Sequence, residues 1–405
     1  MLKGKHVVLA VSGGIAAYKM ANLTSMLVKQ HCDVTVIMTE NATHFINPIT
    51  FETLSGRKCL VDTFDRNFQH SVEHVALAKQ ADALLVAPAT ANVIAKLSYG
   101  LADDMLTTTA LACTCPKFVA PAMNTRMYGN PVVQDNLKRL QNYGMTVIAP
   151  ESGRLACGDT GAGKLVPEQT LMDYLLRELA FEKDLQGTRV LVTAGATQEA
   201  VDPVRFLTNH STGKMGYAIA KAAMLRGAEV TLISGSASVK EPPFVQVVRV
   251  TSAQEMFEAV RACAEQQDMI VKAAAVADYR PKTAAKQKMK KSDGDMALEL
   301  ERTPDILAYL GEQKKPHQIL CGFSMETEHL IENSRKKLLK KQADLIAANS
   351  LCQEDAGFGT DTNRITLIGA NEVKELPLMT KDEAAHALLD ELLVLRGTKQ
   401  TGGCN

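Results

Sequence analysis

Residues 193–216 read TAGATQEAVDPVRFLTNHSTGKMG and crowd Asp202, Arg205, Asn209, Ser211, Thr212 and Lys214 beside Gly213 and Gly216. Side chains of these types can hold and polarise an anion. The stretch leaves the apolar run Val190-Leu191-Val192, which reads as a buried parallel strand. It runs into residues 217–225, whose apolar spacing reads as a helix, and a second strand follows over 229–233. Such a loop-to-helix junction offers free backbone N–H groups and the positive end of a helix dipole. A phosphate or carboxylate site would use them. An ordinary strand-to-helix turn would leave the same side chains solvated, and periodicity does not separate the two.

A second concentration of charge follows residues 269–275, which read as a strand ending in Ala273 and Ala274 and leading to Asp278. Lys282, Lys286, Lys288, Lys290 and Lys291 come next. A solvated loop has this composition, and so does a contact for a triphosphate and its metal. Lys337 and Lys341 stand at i, i+4 on a segment that reads as a helix over 335–342, forming one cationic edge. Lys272 puts a charge at a strand centre, and the pattern gives it no role.

The first half opens with a strand over 6–11, the tight turn Ser12-Gly13-Gly14-Ile15-Ala16-Ala17 into a helix, and a strand over 34–38 ending at Thr39. This is a Rossmann-like start without G-x-G-x-x-G and without an acidic residue closing the second strand. Small residues with Ser12 suit a phosphate monoester, which favours a mononucleotide such as FMN over NAD. Further strands read over 83–87, 117–120 and 145–149. Pro88-Ala89-Thr90-Ala91-Asn92, Pro121-Ala122-Met123-Asn124 and Thr39 all fall at strand ends, where ligands of such sheets bind. His74 precedes a strand. Cys157 lies among Gly153, Gly158, Gly161 and Gly163, a spacing that suggests a mobile flap. Residues 158–164 approach a P-loop, but Leu165 replaces the Mg2+-binding hydroxyl, so that reading is rejected.

The elements that must position these groups are α/β: two Rossmann-like domains with mostly parallel sheets. The chain has 405 residues, 46% hydrophobic and 22% charged, enough for two to three domains with sizeable cores. Lys plus Arg and Asp plus Glu balance at 45 each, so nothing global favours nucleic acid or an anionic membrane. The nine cysteines match no zinc spacing, and Cys113 and Cys115 read as structural. No signal-peptide pattern and no apolar run of ~18 residues is seen, which fits a reducing cytoplasm. A helix over 167–181 and a polar link over 182–187 place the domains at 1–186 and 187–397, with a Gly-rich flexible tail over 398–405.

Two resemblances sharpen this reading. Residues 193–216 resemble the opening signature of the phosphopantothenate–cysteine ligases. Ser12-Gly13-Gly14-Ile15-Ala16, the run 88–92, Gly100-x-Ala102-Asp103-Asp104 and Pro121-Ala122-Met123-Asn124-x-x-Met127 resemble the flavin-dependent cysteine decarboxylases, with Tyr128 where Trp is usual. Both in one chain, over 1–395, resemble the bifunctional coenzyme A biosynthesis family. The decarboxylase resemblance implies bound FMN on Ser12, Gly13, Gly14, Ile15, Thr39, the run 88–92 and Met105. It also implies His74 as acid/base, Asn124 on the substrate carboxylate and Cys157 as proton donor from a flap. The ligase resemblance implies CTP on Ala273, Ala274, Asp278, Lys288, Pro304, Asp305, Ile306, Leu307, Phe323, Lys337 and Lys341. Thr303 replaces the usual Asn, and Gly-Phe-Ser-Met-Glu-Thr over 322–327 places Phe323 near the base. Asn209 would hold an acyl-cytidylate, Arg205 and Asn209 the substrate, and Asp278 a Mg2+.

The implied reaction joins cysteine to 4′-phosphopantothenate at the cost of CTP and then decarboxylates the product to 4′-phosphopantetheine. The partners are these small molecules and further copies of the chain sharing sites, with no nucleic acid and no membrane. A flavin reductase fused to a nucleotide-binding domain would not need Cys157 or Asn209. A non-catalytic flavin-binding regulatory or scaffold protein would lack His74 or Cys157.

Overall fold

His6–Val11 is buried along its whole length, as a strand covered on both faces must be. This strand, β1, sits inside a parallel sheet with β2 (Asp33–Met38), β3 (Ala83–Ala89), β4 (Lys117–Pro121) and β5 (Thr146–Val147), in the order β2-β1-β3-β4-β5. Side chains alternate between two cores. Leu9 packs with Met20, Leu23, Leu27 and Phe51 on one face, and Val8 with Leu84, Ile94 and Leu106 on the other. An antiparallel hairpin, β6 (Glu151–Arg154) and β7 (Thr160–Lys164), follows the sheet. The computed structural model describes residues 1–64, 73–290, 297–326, 328–350 and 359–402; Lys291 and Thr327 lie outside them.

The chain divides into two compact units, Met1–Phe181 and Glu182–Asn405. The second is built on β8 (Arg189–Ala194), β9 (Glu229–Ser234), β10 (Gln246–Arg249), β11 (Met269–Lys272), β12 (Ile319–Glu326), β13 (Leu345–Ser350), β14 (Ile365–Ile368) and β15 (Val373–Glu375). Their order is β10-β9-β8-β11-β12-β13-β14-β15, parallel as far as β13 and antiparallel beyond. Both units are therefore α/β with mostly parallel sheets, as the sequence indicates.

Local differences have physical causes. The long loop after β8 carries its own antiparallel ribbon, Gln198–Ala200 with Phe206–Thr208. The strand expected over 269–275 ends at Lys272, because the N–H groups of Ala273 and Ala274 turn to the backbone and hydroxyl of Thr193. The turn at 12–17 enters a single 3-10 turn, Ile15–Tyr18, before the helix Lys19–Lys29. The tail expected to be flexible from Thr398 is instead helical through Gly402, continuing the helix Lys381–Gly402 whose Leu388, Leu389 and Leu392 are fully buried.

Residues 182–187, expected as a polar link, are anchored in the second unit. Leu185 is fully buried, and its N–H donates to the Arg226 carbonyl at 3.0 Å. The buried Arg226 guanidinium donates to both oxygens of Asp184, at 2.5 and 2.9 Å, and lies 2.7 Å from Asp390. Arg226→Ala removes these charge-assisted bonds while the more exposed carboxylates rehydrate, which holds the cost to about 2 kcal/mol. For a unit of this size that lowers the thermal midpoint by about 4–8 °C; differential scanning calorimetry of the Arg226→Ala chain checks it.

Candidate active sites

In the first unit β1 pairs with β2 on one side and β3 on the other, so a crevice opens at their carboxyl ends. Ser12 sits there fully buried. Its hydroxyl donates to the Pro88 carbonyl at 2.6 Å and accepts the Thr90 N–H at 3.0 Å, so Ser12 braces the crevice. A Cβ at Gly13 would stand 2.6 Å from Asn41 Cβ, so no larger residue fits. Thr90 caps the helix Ala91–Tyr99. The buried Thr39 hydroxyl has no partner among the described residues, and an unmet buried polar group costs about 1–3 kcal/mol. A glycine cradle beside an unpaired hydroxyl at the strand ends fits a phosphate-bearing group such as FMN.

A cavity of about 510 Å³ opens over this crevice. Gly13, Gly14, Ile15, Pro88, Thr90 and Ala91 form one side, and Asn124 and Cys157 face it from the other. Ser12 and Ala89 are buried close by, and Asn92 is exposed on the first turn of the capped helix. Thr39 does not line the cavity. Met105 is 1% exposed and packs in the core with Leu106, so its side chain is not on the wall. His74, half-buried on the helix Glu73–Gln80, is also away from it.

Asn124 is fixed at both ends. Its Oδ1 accepts the Arg126 N–H at 2.8 Å, and its Nδ2 donates to Asp159 Oδ2 at 2.7 Å and to Cys157 Sγ at 3.3 Å. The hairpin bearing Cys157 reaches Asn124 because its glycines permit close approach. At Gly163, φ is +129°, and a Cβ would lie 2.4 Å from the Met123 carbonyl oxygen. The Met123 N–H donates to the Gly163 carbonyl at 3.0 Å. The glycines of the hairpin therefore set a close contact. The sequence reading missed Asp159; a carboxylate two residues from Cys157 in a Gly-rich run was its only signal.

In the second unit a cavity of about 460 Å³ lies at the carboxyl ends of β11 and β12. The residues Asp278, Pro304, Asp305, Ile306, Leu307, Phe323, Lys337 and Lys341, scattered over the sequence, all line it. Lys272, left without a role by its pattern, lines it too. Thr303 holds the turn below: its hydroxyl donates to the Ala277 carbonyl at 2.5 Å and its N–H to the Asp278 carbonyl at 3.1 Å. Ala273 and Ala274 join β8 through Thr193 and do not line the cavity. Asn209 and Lys288 are exposed on loops away from its wall.

Positive charge converges in this cavity. Lys341 pairs with Asp305, which also caps the helix Ile306–Gln313. Burial pushes the Asp305 carboxyl up, but Lys341 and the Ala308 N–H outweigh it and hold it below its usual range. Among the described residues Lys337 donates only to the Phe323 carbonyl at 2.9 Å, and Lys272 only to the Ala274 carbonyl at 3.0 Å. Burial first, and then the Lys337 ammonium, pull Lys272 down to about 8. Burial lowers Lys337 as well. Ammonium groups that lack carboxylate partners in a cavity favour an anionic ligand.

The loop after β8 is shaped by glycine. Gly195 has φ +76°, and a Cβ there would meet the Ser236 carbonyl oxygen at 2.5 Å. Gly213, in the left-handed region, opens the helix Lys214–Leu225 without a side-chain cap. Lys214 is engaged by Asp361 at 2.6 Å. Arg205, expected on substrate, forks onto the buried Asp202 at 2.6 and 3.0 Å. Asp202 also accepts the Met289 N–H at 3.1 Å, which ties the lysine-rich loop to this one. Among the described residues no three His, Cys, Asp or Glu side chains gather to hold a metal.

The Arg205 guanidinium, with three backbone N–H groups, holds the Asp202 carboxyl well below the usual carboxylate range. A depressed carboxyl contributes stability that is present above the unfolded pKa and lost only as pH falls through the folded one. The clamp therefore survives mild acid. Asp202→Asn removes its charge, and trypsin cleavage after Lys286, Lys288 and Lys290 should rise several-fold at neutral pH; unchanged cleavage would mean that the loop is held by other contacts.

The family described as flavoprotein matches residues 1–180, and the DNA/pantothenate metabolism flavoprotein C-terminal domain matches residues 185–395. The chain is 48% identical over 406 residues to the coenzyme A biosynthesis bifunctional protein CoaBC of Bacillus subtilis, covering 99% of each chain. It is 42% identical over 395 residues to the protein of that name from Escherichia coli, covering 97% of each. A solved C-terminal domain of a coenzyme A biosynthesis bifunctional protein CoaBC is 46% identical, covers 52% of this chain and 97% of its own, and superposes with a TM-score of 0.45. The two crevices are thus carried by a chain that belongs to the CoaBC family of coenzyme A biosynthesis bifunctional proteins.

Proposed function

We propose that the chain is a bifunctional enzyme of coenzyme A biosynthesis, its second unit ligating cysteine to 4′-phosphopantothenate and its first decarboxylating the product. The observation that carries the reading is the Asn124–Cys157 contact at 3.3 Å on the wall of the glycine-floored cavity. It sets an amide donor for a carboxylate beside a thiol that can deliver a proton, and core packing asks for neither.

When bound, FMN supplies a reversible two-electron oxidation at the thiol-bearing carbon, which lets the neighbouring carboxylate leave as CO2. The cradle of Gly13, Gly14 and Thr90 would hold it, with Thr39 available at the strand ends. Asn124 Nδ2 would exchange Asp159 for the substrate carboxylate. Cys157 Sγ would protonate the carbon left behind, and closure of its hairpin would exclude water. His74 would serve as acid/base at the reacting thiol. Because His74 lies off the cavity wall, we propose that a second copy of the chain completes the site. The exposed Ile15, Tyr18 and Met127 on the cavity rim support this, since contact with a partner would cover them.

In the second unit the cationic cavity suits a triphosphate; CTP would be the nucleotide, and Asp278 would hold the Mg2+ that offsets its charge. The carboxylate of 4′-phosphopantothenate would displace pyrophosphate to form an acyl-cytidylate, and the amine of cysteine would then displace CMP. Asn209 would hold that intermediate, and Arg205 would position its loop through Asp202. Lys288 would reach the phosphates from the loop clamped at Met289. We further place the enzyme in the cytoplasm, where exposed Cys157 would stay reduced.

Purified protein incubated with 4′-phosphopantothenate, cysteine, Mg2+ and each nucleotide in turn should release pyrophosphate and CO2 only with CTP. His74→Asn should abolish CO2 release yet keep bound flavin, with pyrophosphate release intact. Asn209→Asp should stop amide formation while added 4′-phosphopantothenoylcysteine is still decarboxylated. Undiminished turnover in either variant would remove that residue from its role.

A further inference from the structure

We infer that Lys272 is a direct phosphate contact of the nucleotide cavity, its ammonium kept beside Lys337 and Lys341 to meet the triphosphate and not to stabilise the fold. The inference rests on the nucleotide reading of the second unit. Lys272 ends β11, whose neighbour β8 pairs on its other side with β9, so its backbone borders the crevice of the second sheet. The strand residues before it, Met269, Ile270 and Val271, are buried and apolar, and an apolar residue at 272 would continue them without a desolvation penalty.

The groups that face Lys272 leave its charge unmet. Among the described residues it makes no ion pair, and its one acceptor is the neutral Ala274 carbonyl. Lys337, from the helix Leu330–Lys340, is likewise held only by a carbonyl, and Lys341 has taken Asp305. The other carboxylate on the wall is Asp278, against the cations Lys272, Arg302, Lys337 and Lys341. A polyanion entering this cavity would relieve the mutual repulsion and the burial cost together. The depressed pKa of Lys272 agrees: its surroundings penalise the charged form, which a bound anion would favour.

The test uses the full-length chain with Mg2+ and titration calorimetry, with CTP and inorganic tripolyphosphate as probes. Lys272→Met should weaken both by about 10- to 100-fold, the range for losing a charge-assisted bond. It should leave the thermal midpoint unchanged or raised, because a half-buried charge without a carboxylate partner is removed. Independently of any variant, wild-type binding should weaken as pH rises from about 7 to about 9. In that window the free protein loses the Lys272 proton, and binding should take one up, visible as a buffer-dependent heat. Equal CTP affinity in Lys272→Met overturns the inference and leaves the nucleotide reading standing. Loss of CTP binding with tripolyphosphate binding intact also overturns it, since Lys272 would then contact the base or ribose. A lowered midpoint together with pH-independent wild-type binding would make the residue structural. A wild-type chain that binds CTP under no condition would sink the nucleotide reading itself.

Discussion

A parallel sheet that winds outward in both directions from one strand must leave a gap at that strand's carboxyl end, because the two crossovers depart to opposite sides. Each unit of this chain meets that constraint once. In the first it falls between β1 and β3, and in the second between β8 and β11. Backbone groups at the gap have no neighbouring loop to cover them, so side chains or a ligand must. Ser12 bridges the first gap to Pro88 and Thr90, and Thr193 bridges the second to Ala273 and Ala274. The braces differ only in chemistry: a serine hydroxyl in one, a threonine hydroxyl and carbonyl in the other. Both hold a crevice open at a fixed width.

The close approaches around these gaps explain where glycine is required. At Gly13 and Gly195 a Cβ would collide with the neighbouring backbone, so the first residues beyond the strands pass close to the next segment. Gly163 does the same for the hairpin over Asn124. In each case the chain gives up side-chain packing to place backbone at the crevice rim, which makes sense at a site and is costly in a core.

Much of this was legible in the sequence, and the limits have physical reasons. Continuous apolar runs and the small residues after β1 and β8 foretold both sheets and the strand ends where ligands would bind. The eight cavity-lining positions read from the ligase resemblance converge although they span residues 278–341. What could not be read was partnership. Arg205 looked like a free cation and is held by Asp202, and Lys214 by Asp361. Lys272 looked misplaced because a strand pattern says which face a residue takes but not whether that face ends in a cavity. His74 and Met105 show the reverse limit. A family pattern assigns them to a site, while the fold of one chain puts their side chains off its wall.

The charge distribution carries the last step. The chain has no net formal charge, so no overall positive charge draws polyanionic substrates to it. Selection for anions must come from local imbalance in places where burial magnifies it. The second cavity has that imbalance, with lysines that solvent screens poorly and carboxylates too few to match them. The first cavity sets Lys19, Arg154 and Lys164 around a glycine cradle and a wall with Ile15, Ala122, Met123 and Leu155, which suits a phosphate monoester on a large planar group. Two sheets of similar topology are thus specialised less by backbone than by the side chains that line each cavity, apolar residues and glycines beside the cations in the first and paired and unpaired lysines in the second.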